Sequence, residues 1–371
     1  MRSADGERSS RADARWPVSQ IVGLTLLAGA ALCAAIVASS EAPYAIERPG
    51  PVYDVLGDTR VGDAEAPMIE IVDAETFATA GVLNMLTINA NDPLHLPSWI
   101  QVVEAYFDPS RAVLPIEAVY PPSTGVSTAE RQATQMENSK AAAIAAALDH
   151  LGYDLVPTMR VVEVEPGSPA EGVVEAGDVI LSANGRQLAD VDELREIVAD
   201  NGTQDPARLV VERRGEQAEL EVTPALSEGA ARLGVHIASS WDWPIDIRIQ
   251  LENVGGPSAG MMFALGIIDK LTPGSLTGGE NIAGTGTITA TGEVGAIGGI
   301  RQKLWGAVRV GSTWFLAPAA NCGEVVGHVP DGIRVLPVET LDAAVEALGI
   351  ISTGGDAATW PSCEDLVGAT A

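Results

Sequence analysis

Residues 255–260 read Gly-Gly-Pro-Ser-Ala-Gly and directly precede an apolar run at residues 261–271. The run predicts a buried helix, and Ser258 therefore lies where that helix begins. Free N–H groups and the helix dipole at such a position can stabilise a developing oxyanion. A serine before a helix is also an ordinary N-cap residue, so this position leaves a structural and a catalytic interpretation open.

Two types of catalytic chemistry could use Ser258. Residues 256–260 match G-x-S-x-G, the nucleophile elbow of α/β-hydrolases, which needs a histidine after the serine. Only His328 follows Ser258 in the chain, and no regular series of β-α units flanks the serine. The alternative is a Ser–Lys dyad, in which a desolvated neutral lysine takes the proton of the serine.

The lysine content narrows the choice of general base, because the chain has three lysines, Lys140, Lys270 and Lys303. Lys270 lies further along the predicted helix that follows the serine, and helical rise places it about 18 Å away. Lys140 lies in an alanine-rich helix, where it can be a surface charge. Lys303 follows a glycine-rich β segment and is near the start of a helix predicted at residues 302–310. Lys303 is thus placed like a catalytic group, with an ordinary surface lysine as the alternative.

The C-terminal part of the chain contains four motifs in succession. They are Gly-Pro-Ser-Ala-Gly at 256–260, Thr-Gly-Thr-Ile-Thr at 285–289, Gly-Glu-Val at 292–294 and Ile-Gly-Gly-Ile-Arg-Gln-Lys-Leu at 297–304. With Pro318 and Asn321 after them, these motifs make residues 245–350 resemble the proteolytic domain of Lon proteases.

The resemblance to Lon implies a role for each matching residue. Ser258 would be the nucleophile, Lys303 the general base, and Thr285 the hydrogen-bond partner of the lysine. The loop that holds the oxyanion would be shaped by Gly256, Pro257 and Ala259.

Residues 152–226 consist of short β-branched runs. They include Ser-Pro-Ala at 168–170, Gly-Asp-Val-Ile at 177–180 and an Asn-Gly hairpin turn at 184–185, and together they resemble a PDZ domain. Such a domain binds an extended peptide by adding it as a strand to a sheet. A purely structural role or a dimer contact is the alternative. The loop for the peptide carboxylate is predicted at Gly152, Tyr153, Asp154 and Leu155.

One uncharged apolar segment, residues 17–40, is long enough to cross a bilayer as a helix. Four arginines precede it, and Glu41 and Glu47 follow it. The positive-inside rule therefore predicts a single-pass protein of the cell membrane, with a cytoplasmic N-terminus and the remainder outside the cytoplasm. A cleaved signal peptide is the alternative, although the apolar run is longer than usual for one.

The formal net charge of −28 excludes a protein that binds nucleic acid through a basic surface. The chain has no G-x-x-x-x-G-K-[ST] motif, so we expect no ATPase site, and no motif indicates a metal or another cofactor. Cys322 and Cys363 both lie on the predicted oxidising side of the membrane. We expect a disulfide between them, with two free thiols as the alternative.

These segments predict an α+β chain with one N-terminal transmembrane helix, a Lon-type proteolytic domain and a β-barrel-like PDZ domain. The helix at residues 128–150 resembles the opening helix of the Lon domain. We therefore expect the PDZ domain to be inserted within the proteolytic fold, with a PDZ domain that precedes it as the alternative. The predicted order is a cytoplasmic tail 1–16, transmembrane helix 17–40, stalk 41–73, first part of the protease 74–151, PDZ domain 152–226, proteolytic domain 227–350 and C-terminal tail 351–371.

The predicted function is that of an ATP-independent, membrane-anchored serine endopeptidase, which cleaves peptides or flexible protein segments outside the cytoplasm. The PDZ domain would bind or gate the substrate, and the resemblance to Lon implies a homo-oligomer. The alternative is a catalytically silent PDZ adaptor that binds peptides outside the cytoplasm.

Overall fold

The computed structural model describes residues 18–62, 64–120, 128–153, 155, 157–188, 190–227, 229–241, 243–252, 254–355 and 359–370. The helices are α1 (Val18–Ser39), α2 (Trp99–Tyr106), α3 (Ile116–Val119), α4 (Thr128–His150), α5 (Val191–Asn201), α6 (Gly260–Leu271), α7 (Ile300–Arg309), α8 (Cys322–Val325), α9 (Leu341–Ser352) and α10 (Cys363–Thr370). The strands are β1 (Tyr44–Asp54), β2 (Asp58–Val61), β3 (Ala64–Pro67), β4 (Ile69–Val72), β5 (Val82–Ala90), β6 (Ala112–Pro115), β7 (Pro157–Val164), β8 (Val179–Ala183), β9 (Arg186–Gln187), β10 (Ala207–Arg213), β11 (Glu216–Val222), β12 (Ala225–Ser227), β13 (Ala230–Arg232), β14 (Val235–Trp241), β15 (Asp246–Ile249), β16 (Asn281–Gly284), β17 (Thr287–Ile288), β18 (Val294–Gly295), β19 (Trp314–Pro318) and β20 (Arg334–Val338).

The described residues form two compact units. The smaller unit contains residues 18–46 and 90–120, and the larger unit contains residues 47–89 and 128–370. In the smaller unit, α1 is long and apolar enough to cross a membrane, and none of its apolar window is buried inside the protein. This length and composition suit either a membrane span or a signal sequence.

The main sheet of the larger unit contains the strand order β20-β19-β16-β5-β1. Its strands β5, β16, β19 and β20 are parallel neighbours. Successive residues point to opposite faces: Leu83 and Met85 join a core with α4, α6 and α9, whereas Leu86 joins a core with α7, α8 and α10. The sheet therefore separates two layers of helices.

A second sheet of the larger unit has the order β11-β10-β8-β7-β14. With α5 it encloses its own core, which includes Val161, Leu194 and Leu209. The last strand, β14, pairs antiparallel with β7, so that Trp241 lies opposite Pro157. The sheet therefore extends beyond the predicted PDZ boundary at residue 226, as far as Trp241. The pairing joins two segments far apart in sequence, which local patterns do not reveal.

Residues 41–73 do not form the predicted extended stalk. Strand β1 belongs to the main sheet, and β4 pairs antiparallel with β15, with Ile69 opposite Ile249. Met68 is fully buried. The prolines of this segment suggested an extended connection, but its apolar residues pack against partners that are distant in sequence.

The segment predicted as the first part of the protease, residues 74–151, is also divided. Its residues 90–120 belong to the smaller unit, and the remainder belongs to the larger unit. Helix α4 contributes Ile144 and Leu148 to the same core as Phe263 of α6. The elements that precede and follow the second sheet in the chain thus share one core.

Candidate active site

Ser258 lies on the loop between β15 and α6, and α4 holds this loop. The N–H of Gly256 donates to the Gln132 carbonyl at 3.0 Å, and Ser139 Oγ donates to the Pro257 carbonyl at 2.9 Å. Gly256 has a φ of +88°, a left-handed conformation that glycine adopts without the penalty of a Cβ atom. The shape of the loop before the serine therefore depends on α4, a helix that precedes the second sheet in the chain.

The hydroxyl of Ser258 is not used to cap the helix. The cap position of α6 is Ala259, and no side chain caps it. Ser258 Oγ instead accepts a hydrogen bond from Lys303 Nζ at 2.8 Å. The same Nζ donates to Thr285 Oγ1 at 2.8 Å, and the Thr285 hydroxyl donates to the Ser258 carbonyl at 2.9 Å. The fold thus brings the predicted serine, lysine and threonine into one closed set of hydrogen bonds.

Lys303 is almost completely enclosed, with 1% of its surface exposed. Burial lowers the pKa of Lys303 from its ordinary value of 10.5 to about 7, while the Glu47 carboxylate acts in the opposite direction. Burial also raises the pKa of Glu47, against the effect of the lysine. A lysine with a pKa near neutrality is partly uncharged at physiological pH, and its amine can then accept the proton of the Ser258 hydroxyl.

Glu47 was not among the predicted site residues, since it lies in the segment interpreted as a stalk. The next residue on the same face of β1 is Pro49, whose Cβ lies 3.7 Å from the position that a Cβ on Gly306 would take. Alternate residues of a strand face the same side, so Glu47 faces α7, which carries Lys303 one turn before Gly306. The sequence contains no motif that connects the two residues.

Comparisons with known proteins agree with this geometry. Residues 252–349 match the family model of the Lon protease (S16) C-terminal proteolytic domain. The chain carries a Lon-type proteolytic domain. Residues 160–213 match the family model of the PDZ domain. Both predicted resemblances are therefore confirmed, and the α+β fold class is confirmed with them.

The curated relatives are similar to one part of the chain. Lon protease of Clostridioides difficile (strain 630) is 40% identical over 94 residues, which cover 24% of this chain and 12% of the relative. Lon protease 2 of Herpetosiphon aurantiacus is 41% identical over 105 residues, which cover 26% of this chain and 13% of the relative. The chain thus spans about an eighth of the length of these relatives. The solved PDZ domain of an SdrC-like protein from Listeria innocua is 20% identical, covers 22% of this chain and 92% of its own, and has a TM-score of 0.21.

Two amide groups of the Lon-type domain remain available beside the serine. Of the predicted oxyanion loop, Gly256 donates its N–H to α4, and Pro257 has no N–H. Within the described part of the chain, the N–H groups of Ser258 and Ala259 donate to no protein acceptor. These two amides are the groups that could stabilise an oxyanion formed at Ser258.

The other titratable candidates of the sequence lie in different surroundings. A ring nitrogen of the exposed His328 lies 3.0 Å from the Val326 carbonyl, so the histidine of the hydrolase interpretation is occupied elsewhere. Lys140 pairs with Glu137 at 2.9 Å. Lys270 donates to the Leu56 carbonyl at 3.3 Å.

The predicted carboxylate loop at residues 152–155 does not belong to the PDZ sheet. Gly152 has a φ of +82° and ends α4, since the N–H of Tyr153 donates to the Leu148 carbonyl at 2.9 Å. Leu155 packs against the core of the Lon-type domain, and Asp154 lies outside the described residues. In the structure, this glycine serves as the stop of α4.

The last strand in the order of the PDZ sheet is β14, and no other strand among the described residues of that sheet pairs with its outer edge. The short Leu-Gly-Val sequence at residues 233–235 leads into this strand, and it was the sequence signal that could have indicated β14. An open cavity of about 120 Å³ lies beside β14 and α5, and its lining includes Trp241 and Ile288. The N–H of Ala290 donates to Asp190 Oδ2 at 3.3 Å, so the cap of α5 contacts the Lon-type domain directly.

A disulfide joins Cys322 and Cys363 across a sequence separation of 41. Both residues are buried and belong to the core between the main sheet and α7. The bond connects the first residue of α8 with the first residue of α10, and it therefore holds the C-terminal helix against the layer that carries Lys303.

Proposed function

We propose that this chain is a serine endopeptidase that is anchored in a membrane and cleaves peptides or flexible protein segments without ATP. The observation that carries the proposal is the 2.8 Å contact between Lys303 Nζ and Ser258 Oγ. A serine hydroxyl beside a buried lysine whose pKa is about 7 has the base that nucleophilic attack near neutral pH requires.

In the proposed mechanism, the neutral amine of Lys303 takes the hydroxyl proton while Ser258 Oγ attacks the carbonyl carbon of the scissile peptide bond. The resulting oxyanion accepts hydrogen bonds from the amides of Ser258 and Ala259. The Lys303 ammonium then gives its proton to the leaving amine, the C–N bond breaks, and an acyl-enzyme remains. The same amine activates the water that hydrolyses this ester. Thr285 keeps Nζ in place through both steps.

The proposed location rests on α1 and on the charges around it. The arginines at residues 2, 8, 11 and 15 support a cytoplasmic N-terminus under the positive-inside rule. The catalytic part would then lie outside the cytoplasm, where a disulfide persists. The chain has no P-loop motif, and unfolding driven by ATP has no part in the proposal. Substrates are accordingly peptides or segments that are already flexible.

We assign substrate binding or gating by the PDZ domain to the outer edge of β14, where a peptide could add as a further strand. The cavity beside this edge reaches Ile288 of the Lon-type domain. Gly286 lies two residues before Ile288, and its N–H donates to the Ser258 carbonyl at 3.0 Å. A peptide on β14 would therefore lie beside the segment that supports the nucleophile. Homo-oligomerisation is part of the proposal on the basis of the resemblance to Lon.

An active-site fluorophosphonate probe tests the proposal. The full chain in detergent should be labelled without added nucleotide and should hydrolyse a flexible peptide, whereas Ser258→Ala and Lys303→Ala should do neither. His328→Ala is the matched control and should retain both activities. Absence of labelling in a folded wild-type protein would instead support a catalytically silent peptide-binding adaptor.

A further inference from the structure

Helix α2 of the smaller unit exposes an unusual number of large apolar side chains. Ile100 and Val103 are each 53% exposed, and Tyr106 and Phe107 are each 79% exposed. Ala105 on the opposite side is 1% exposed and faces the interior of this unit. A solvent-facing helix normally presents charged residues on its outer side, and this helix presents the reverse pattern.

The exposed residues form one stripe along the helix. Positions 99, 103 and 107 recur every fourth residue, and position 100 lies beside them, so their side chains share a face. Tyr106 lies at the edge of this face, and its ring packs edge-on against Phe107 with 5.6 Å between centroids. We call Trp99, Ile100, Val103 and Phe107 the α2 stripe.

The start of the α2 stripe is hydrogen-bonded to the end of the apolar helix α1. The N–H of Trp99 donates to the Ser40 carbonyl at 3.2 Å, and the N–H of Ala42 donates to the Pro97 carbonyl at 2.8 Å. The Trp99 ring also packs against Tyr44, with 5.8 Å between centroids. Because α1 ends at Ser39, α2 begins at the level where a membrane-spanning α1 would leave the hydrocarbon.

We propose that the α2 stripe is a second membrane contact, and that α2 lies in the lipid interface beside the exit of α1. The inference rests on the anchor of the proposed function. Lipid is favoured over a protein partner because the stripe begins at the end of the span, and because tryptophan and tyrosine concentrate at the membrane–water boundary. The helix contains no lysine or arginine, and its one charged residue is Glu104. Binding should therefore depend on apolar insertion and should not require anionic lipid.

The contact would hold the smaller unit at the bilayer surface. An interfacial helix buries its apolar face about 5–10 Å into the headgroup and acyl boundary. Such a contact, added to a single span, would restrict rotation of the chain about the axis of α1 at the point where the chain leaves the membrane.

The test is lipid quenching of a fluorophore placed on the full chain in phosphatidylcholine liposomes. Cys33 is first replaced by alanine, and an environment-sensitive label is attached to Val103→Cys in one protein and to Glu104→Cys in another. A nitroxide carried near the ester carbonyl of the lipid should quench the label at 103 at least about twofold more than the label at 104. A nitroxide near the end of the acyl chain should quench the label at 103 less.

A label at Leu27→Cys within α1 separates this inference from the anchor. Quenching at 27 together with interfacial quenching at 103 supports the inference. Quenching at 27 with a water-exposed label at 103 overturns it and leaves the anchor intact. A label at 103 that is shielded from water but not quenched by lipid nitroxides would show a protein partner or a second copy, and would also overturn it. If the label at position 27 is not quenched, the anchor and the inference both fail.

Discussion

At the residue scale, the chemistry proposed for Lys303 depends on burial. Its pKa is lowered chiefly because the charged form loses water in the interior, and Glu47 is the group that opposes this effect. The lysine and the serine could be recognised from short motifs in the sequence. The Glu47 carboxylate could not be recognised, because it acts on Lys303 from β1, a strand that lies far earlier in the chain.

Glu47→Gln should move the pH dependence of peptide hydrolysis to lower pH. Lys303 must be neutral to act, so kcat/KM should rise as the pH passes through its pKa of about 7. The carboxylate raises the pKa of Lys303, and an uncharged amide in its place removes this influence. Profiles of kcat/KM against pH measure the midpoint, with the exposed Glu65→Gln on β3 as the matched control. An unchanged midpoint in Glu47→Gln would count against this role.

Lys303→Met should raise the free energy of unfolding, and the gain should shrink as the pH rises. The pKa of Lys303 is about 7 in the folded protein against an ordinary 10.5. Below pH 7 the lysine is charged in both states, and the wild type bears the full cost of burying a cation. Between pH 7 and pH 10.5 the unfolded chain binds more protons than the folded protein, so the free energy of unfolding of the wild type increases with pH. The difference between the two proteins should narrow by about 1.4 kcal/mol per pH unit in this window. Urea unfolding at several pH values measures it, and a difference that is constant with pH is the contrary result.

Thr285→Val should weaken catalysis without abolishing it. The threonine hydroxyl lies 2.8 Å from Lys303 Nζ and keeps the amine near the serine, and misplacement of a catalytic group by about 1 Å can cost about a hundredfold. We expect a loss of about tenfold to a hundredfold in kcat with little change in KM. The exposed Thr291→Val should be unaffected. Full activity in Thr285→Val would remove the threonine from the mechanism.

At the scale of elements, the helices followed their local patterns more closely than the strands did. Helix α4 occupies residues 128–150 as predicted, and α6 and α7 begin close to their predicted starts. Strands β1 and β4 were hidden in an apparent stalk, because their partners β5 and β15 are distant in sequence. A helix satisfies its backbone hydrogen bonds internally, whereas a strand satisfies them with a partner strand that can lie far away in the sequence.

The disulfide between α8 and α10 should be present in the purified protein. Mass spectrometry without reduction should find Cys322 and Cys363 linked, and alkylation before unfolding should leave both unmodified. On the chain-entropy model, replacing both with serine should lower the free energy of unfolding by about 3–4 kcal/mol. The loss of stability should affect chiefly the core around α7, to which both cysteines belong. Recovery of both residues as alkylated free thiols would reject the bond.

At the scale of the whole molecule, we propose that the PDZ domain is inserted within the Lon-type fold. Trp241 and Pro157 are opposite each other on β14 and β7, so the chain enters and leaves this domain at about the spacing of paired strands, roughly 5 Å. Replacing residues 158–240 by a short glycine–serine linker should therefore leave a protein that folds cooperatively and still reacts with a fluorophosphonate.

A shorter protein that begins near residue 228 is the matched comparison. It lacks α4, β1 and β5, which contribute to the sheet and to the core around α6, and it should neither unfold cooperatively nor react. Thermal unfolding and probe labelling distinguish the two designs. A protein beginning near residue 228 that folds and cleaves peptide by itself would establish a PDZ domain that precedes the protease.

The sequence by itself predicted the residues to which we assign the chemistry, because Ser258 and Lys303 each lie in a short motif beside a helix with a clear apolar pattern. The apolar segment near the N-terminus was determined in the same way, by local composition. Only the tertiary structure decided that a buried lysine meets the serine beside Glu47, that β14 completes the PDZ sheet, and that residues 41–73 belong to the folded core. Each of these depends on contacts between segments far apart in the chain, where burial and strand pairing arise from packing.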